Sequence, residues 1–201
     1  MNKLIPAFNI PFYEYDCPHE LTEKVFEEVK TLTFKDNIHN NLLDGFYYNL
    51  ELFDWFNSCL RDLSLTLFDN DTLGLKVIQC WATLNKYSEY HKLHQHPNSL
   101  YSGILYLTSH DKKGKTIFKL PNPWYFLENS NSFEFNHKKE RSITFEYPAQ
   151  KGKLLIFPSN ILHGSTPNVN KHFRYIVGFN SFLEGNLGSD FRLTNLKVQL
   201  Q

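Results

Sequence analysis

Two histidines one residue apart, His94 and His96, are followed 67 residues further on by a lone His163 in Phe157-Pro158-Ser159-Asn160-Ile161-Leu162-His163. Imidazole nitrogens suit iron, zinc, nickel and copper. In an extended segment the side chains at i and i+2 project to one side, so His94 and His96 offer two adjacent corners of a coordination polyhedron. A third ligand has to come from elsewhere in the chain. Gly152 to Phe157 is an apolar strand run stopped by Pro158, and the segment after it brings His163 up. An H-x-H pair alone also suits an ordinary polar strand surface, but the third histidine in that setting points to one mononuclear metal. Arg174, 11 residues past His163, adds a planar guanidinium fork of the kind that grips a carboxylate at two points.

The elements that must carry these residues follow from hydrophobic periodicity. Residues 4 to 16 read as an extended edge segment, because Pro6 and Pro11 interrupt its apolar residues and cannot donate to a ladder. Leu21, Val25, Val29 and Leu32 recur at helical spacing, and a second apolar stripe from Leu50 to Leu67 predicts a helix over about 49 to 67. Beyond about Thr72 the pattern changes to short strands, predicted at 73–84, 100–108, 115–120, 142–147, 153–157 and 172–182. Asp111-Lys112-Lys113-Gly114 reads as a hairpin turn between the second and third of them. The irregular stretch from Pro121 to Arg141, with Trp124, Tyr125 and Phe126, suits either a lid over a pocket or a surface insertion. Helices followed by antiparallel strands point to a mainly β chain folded as a double-stranded β-helix, a jelly-roll or cupin-like barrel that holds ligands at an open mouth.

Composition bounds the rest. The 201 residues suit one domain, with 1–70 as N-terminal strand and supporting helices, 71–185 as barrel and 186–201 as tail. Aromatic residues reach 16%, and the 21 basic and 21 acidic side chains cancel. There is thus no global field to attract nucleic acid or an anionic membrane. Cys17, Cys59 and Cys80 are widely spaced and odd in number, which argues against a disulfide framework and fits a cytoplasmic location. No apolar run has signal-peptide or membrane-spanning length. Oligomeric state cannot be read from the sequence.

The ordered set His91 to Ser99 (containing His-Gln-His-Pro-Asn-Ser), Ser102 to Leu107, Leu155 to His163 and Arg174 to Asn180 resembles the 2-oxoglutarate/Fe(II)-dependent oxygenase superfamily, and within it a prolyl-hydroxylase-like branch of putative oxygenases. The resemblance covers roughly residues 80 to 182. It implies Fe(II) as metal, 2-oxoglutarate as cosubstrate and molecular oxygen as oxidant. His94 would be the first metal ligand, His163 the distal one, and Arg174 the partner of the C5 carboxylate of 2-oxoglutarate. Asn85, Tyr101 and Tyr106 are candidates for further hydrogen bonds to the cosubstrate. The implied activity is hydroxylation of a small molecule or protein side chain, with release of succinate and carbon dioxide.

The chain departs from that pattern at His96, where the superfamily carries Asp or Glu. Three arrangements remain: His96 ligates directly, a carboxylate such as Glu89 or Asp111 reaches the metal, or His96 stays behind the ligands and water completes the site. A second departure is Ile176, where many relatives carry serine. A cupin-type dioxygenase with three histidines and no 2-oxo acid is an alternative, but it leaves Arg174 unexplained. A non-catalytic zinc-binding β-barrel is another; closed structural zinc sites usually have four ligands, commonly with cysteine, whereas no cysteine sits near these motifs and His91, three residues before His94, is a spare candidate for a fourth ligand.

Overall fold

A computed structural model of the chain describes residues 10–36, 41–43, 46–68, 72–110, 114–120, 144–188, 192 and 194–200. In chain order the elements are β1 (Tyr13–Asp16), α1 (His19–Lys30), β2 (Phe34–Asp36), β3 (Asn41–Leu43), α2 (Leu50–Leu67), β4 (Leu73–Asn85) and β5 (Tyr101–Tyr106). They continue with β6 (Lys115–Lys119), β7 (Thr144–Pro148), β8 (Lys153–Pro158), β9 (Leu162–Ser165), β10 (Arg174–Leu187) and β11 (Leu196–Val198). Both predicted helices form. The Asn49 side chain caps α2 by accepting from Leu52 N at 3.0 Å.

Two antiparallel sheets make up the double-stranded β-helix. The larger has eight strands, ordered β1-β8-β5-β10-β4-β3-β2 with β11 on β10, and the smaller is β7-β6-β9. β1 is an edge strand, as expected for its segment; residues 4–9 and the 121–141 stretch lie outside the described residues. One expectation is overturned. β5 and β6 do not form a hairpin: β5 pairs with β8 and β10, whereas β6 pairs with β7 and β9 in the other sheet. Turn residues signal a reversal of the chain but not the partner it returns to, and here the chain crosses between sheets.

Strand alternation divides the core in two. Leu105, Leu154, Ile156, Val177 and Phe179 face the helices, packing with Val25, Leu52, Phe56 and Leu60. Their strand neighbours Ile104, Tyr106, Leu155, Phe157 and Ile176 face the smaller sheet and pack with Phe118 and Ala149. Burying an apolar side chain of this size contributes roughly 1.5–3 kcal/mol, so the period-two register of the central strands is strongly fixed. Among the described residues, no helix is long and apolar enough to cross a membrane.

Candidate metal centre

His163 sits on β9, buried to 4% exposure. His94 is hydrogen-bonded to it as an isolated antiparallel bridge, His94 N donating to His163 O at 2.8 Å and His163 N to His94 O at 2.9 Å. His96 follows in the same extended segment and donates its N–H to Ser159 O at 3.1 Å. The chain then turns at Asn98, whose φ of 55° is a left-handed value that Asn tolerates, and enters β5. Close approach of the His94 segment to β9 requires Gly164: a Cβ there would lie 2.7 Å from His91 O and 3.0 Å from Leu93 N.

This pairing brings the three side chains together. One ligating atom from each of His94, His96 and His163 falls within 4.8 Å of the others, and it is the one such group among the described residues. His94 Nδ1 lies 2.8 Å from Lys92 O and His163 Nδ1 2.8 Å from Ile161 O. A carbonyl only accepts, so both nitrogens carry hydrogen. His96 Nδ1 lies 2.5 Å from Asn180 Oδ1. With the Nδ1 positions acting as donors, the three Nε2 lone pairs are left for the centre, and those of His94 and His96 stand 2.9 Å apart. Burial pushes the His163 imidazole down to about 3 and that of His96 down to about 4, so both are neutral at physiological pH, as ligation requires. Among the described residues no carboxylate joins the group. Glu89 instead accepts from Asn41 Nδ2 at 2.8 and 2.9 Å and from Lys86 N at 2.6 Å; Asp111 lies outside the described residues.

Behind the histidines a narrow cavity runs between the sheets to Arg174. Arg174 opens β10 opposite Asn85, the last residue of β4. It is 4% exposed. Its Nε and Nη2 donate to Asn85 Oδ1 at 3.1 and 2.8 Å, Nη2 to Ser165 Oγ at 2.7 Å, and Nη1 to Thr166 O at 3.2 Å. Every acceptor it meets among the described residues is neutral. Burial lowers this guanidinium to about 10, still charged at neutral pH, and a buried charge without a counter-charge is costly. Asn85 Nδ2 points into the same region and is a buried donor with no hydrogen-bond partner. A buried guanidinium without a counter-charge beside an unpartnered amide donor fits the binding of an anionic group such as a carboxylate.

Tyr106 lines this cavity, 1% exposed, its hydroxyl 2.6 Å from Thr116 Oγ1. Tyr101 does not: it lies on the helix side of β5 with its ring 6.4 Å from that of Tyr13. Residues 101 and 106 differ by an odd number, so one strand sends them to opposite faces. Ile176 lines the cavity as well. Asn180 and Ser102, which stand in the sequence only as ends of motif runs, and Trp81 also reach the site. For Asn180 the signal was parity with Arg174, since 174, 176, 178 and 180 alternate onto one face.

On the other side of the histidines a second cleft opens, lined by Leu42, Ile78, Trp81 and Pro97 together with the carboxamides of Gln79, Gln95, Asn98 and Asn180. Trp81 lies across Gly178, where a Cβ would come within 2.7 Å of the indole. Aside from the histidines, the described lining carries no ionisable side chain.

A double-stranded β-helix with imidazoles clustered at its mouth and an uncompensated arginine deeper inside has the layout of a metal-dependent oxygenase that takes an anionic cosubstrate. The chain belongs to the putative 2OG-Fe(II) oxygenase family, whose model matches residues 79–180, just over half of its length. Fe(II), 2-oxoglutarate and dioxygen are that family's metal, cosubstrate and oxidant. No curated protein matches the sequence. Among solved structures, the chain is similar to HygX from Streptomyces hygroscopicus with nickel and 2-oxoglutarate bound, with a TM-score of 0.59 at 12% identity over 86% of this chain and 82% of that one. A prolyl-4-hydroxylase from Pseudomonas putida aligns with a TM-score of 0.57 at 13% identity, over 85% and 92%. The non-haem α-ketoglutarate-dependent epimerase SnoN from nogalamycin biosynthesis aligns at 0.58 and 11%, over 88% and 81%. At such identities the likeness is one of fold, and that fold hosts both an epimerase and a hydroxylase.

Proposed function

We propose that the chain, acting as a single oxygenase domain, hydroxylates a C–H bond of an uncharged substrate group. In this reading His94, His96 and His163 hold Fe(II), and 2-oxoglutarate lies between them and Arg174. The carrying observation is the convergence of three Nε2 lone pairs whose Nδ1 partners are oxygen acceptors. The donor set suits Fe(II), for which imidazole is a favourable ligand, and three ligands on one face leave positions for a chelating cosubstrate and for oxygen. Arg174 and Asn85 Nδ2 hold the distal carboxylate. That buried, uncompensated guanidinium favours 2-oxoglutarate over a cupin-type reaction without a 2-oxo acid.

When bound, the metal and cosubstrate supply oxidative decarboxylation of 2-oxoglutarate to succinate and carbon dioxide, coupled to oxidation of the substrate C–H bond. The chain's own work is to hold and enclose. Phe157, Phe118 and Ile104 wall the interior and keep water from the region between the histidines and Arg174. The cleft beyond His96 offers apolar surface and carboxamides, which supports an uncharged group there.

The test is succinate formation from 2-oxoglutarate with Fe(II), in the wild type and in Arg174→Ala. Turnover by the wild type, even uncoupled from substrate, with loss in the variant is expected. A metal-loaded wild type that neither binds nor consumes 2-oxoglutarate would sink the reading.

A further inference from the structure

Asn180 lies in the middle of β10 with 5% exposure. A carboxamide there has to be satisfied by its surroundings, because an unpaired polar group in a sheet interior is costly. Its register neighbours are Ser102 on β5 and Gln79 on β4, and the three side chains join in one row across the strands. Ser102 Oγ donates to Asn180 Oδ1 at 2.8 Å, and Asn180 Nδ2 donates to Gln79 Oε1 at 3.0 Å. His96 Nδ1 stands 2.5 Å from the same Oδ1. The Asn180 amide is placed with its nitrogen towards Gln79 Oε1 and its carbonyl towards the ring, so the ring answers with N–H.

The backbone is shaped to build this row. The β10–β4 register shifts between Asn180 and Ser181, which pair with Gln79 and Val77 and leave Ile78 as the extra residue of a β-bulge. Leu75 and Val77 on one side of the bulge and Cys80 and Ala82 on the other all pack against the helices. Only the extra residue lets both sets do so, and it turns the consecutive Ile78 and Gln79 to the cleft. Bulges re-aim side chains in this way beside functional sites.

We propose that Asn180 is a positioning residue for the metal centre. Its carbonyl holds His96 as the Nδ1–H tautomer with Nε2 turned to the ion, and Gln79 locks the carbonyl in place. The inference rests on the three-histidine centre proposed above. It explains how a histidine serves where the superfamily has a carboxylate: ring orientation comes from a neutral amide relay, and no negative charge is added. An aspartate at 180 would return that charge one hydrogen bond further out and make the ring a stronger donor to the ion.

The experiment is Co(II) titration of the metal-free protein against a chromophoric chelator, with the visible d–d spectrum recorded. Asn180→Leu is expected to weaken Co(II) binding by about 10- to 100-fold and to change the spectrum, because the ring is free to rotate. Asn180→Asp is expected to bind at least as tightly as the wild type, and Gln79→Leu less tightly than the wild type but more tightly than Asn180→Leu. His94→Ala, run alongside, separates this inference from the reading beneath it. If His94→Ala keeps its Co(II) affinity, the metal centre itself is wrong. If His94→Ala loses Co(II) while Asn180→Leu stays within about two-fold of wild type with an unaltered spectrum, only the positioning role falls. Should Asn180→Leu not fold, Asn180→Asp and Gln79→Leu decide; weakening of the aspartate variant by about tenfold, or an unchanged Gln79→Leu, overturns the proposal.

Discussion

The Nε2 atoms of His94 and His96 face each other at 2.9 Å, and the Nδ1 hydrogens of both rings point at oxygen acceptors. Two lone pairs at that separation repel unless a cation lies between them. The proposed metal ion, with His163 Nε2 as third donor, would supply that cation.

Removing that third donor is therefore expected to cost most of the metal affinity. His163→Ala should lose Fe(II) or Co(II) binding by calorimetry and keep its far-UV spectrum. Retained affinity in this variant would show that the ion sits elsewhere.

At the other end of the cavity, Arg174→Ala should raise the KM for 2-oxoglutarate by the loss of a buried charge contact. Such a loss is about 2–5 kcal/mol, roughly 30-fold or more, with metal binding unchanged. Arg174→Lys should not restore it, since an ammonium lacks the planar fork. Asn85→Asp gives a sharper contrast. A carboxylate there, 2.8 Å from Nη2 in place of Oδ1, would neutralise the guanidinium from within. The metal-free protein should melt higher while 2-oxoglutarate binding falls; a variant that binds 2-oxoglutarate normally would refute the assignment of this end.

Gly164→Ala probes the approach of the His94 segment to β9. Its Cβ would meet backbone at 2.7 Å, and neither strand can swing a side chain aside. Overpacking of this kind costs typically about 1–3 kcal/mol, read as a lowered melting temperature, and it should also displace His94 and weaken metal binding. A variant with wild-type stability and metal affinity would contradict the close contact.

The sign of the pH dependence follows from the same burial. His163 and His91 are pushed down to about 3 and His96 to about 4, all below the ordinary histidine value of about 6.5. Between these limits the unfolded chain binds more protons than the folded one, so stability rises with pH. Urea denaturation of the metal-free protein should show full stability above about pH 6.5 and a progressive loss as pH falls towards about 4. A flat profile, or one that slopes the other way, would mean that these rings are not buried neutral.

Much of the chemistry was legible because it depends on residue type and parity. His94, His163 and Arg174 stood out by their kind and spacing, and the two helices by their apolar stripes. What escaped depends on pairing between distant segments. The bond from Asn180 to His96 spans 84 positions. The contact of Asn85 with Arg174 spans 89, so Asn85 was a candidate only through resemblance. β9 has four residues and owes its strand form to β6 and the His94 bridge, not to a pattern of its own. Tyr101 was misplaced although strand parity already separated it from Tyr106.

His163 belongs to the three-stranded sheet, while Asn180 and Arg174 belong to the eight-stranded one. The His94–His96 segment is bonded to both sides, through His94 to His163 and through His96 Nδ1 to Asn180 Oδ1. The proposed ion thus lies on the seam where the two halves of the sandwich meet, and its three ligands assemble only after that seam has closed. Such an ion is a fastener as well as a reagent. At a free concentration a hundred times its Kd it would add about 2.7 kcal/mol to the folded state, so metal supply would set the lifetime of the enzyme as well as its rate.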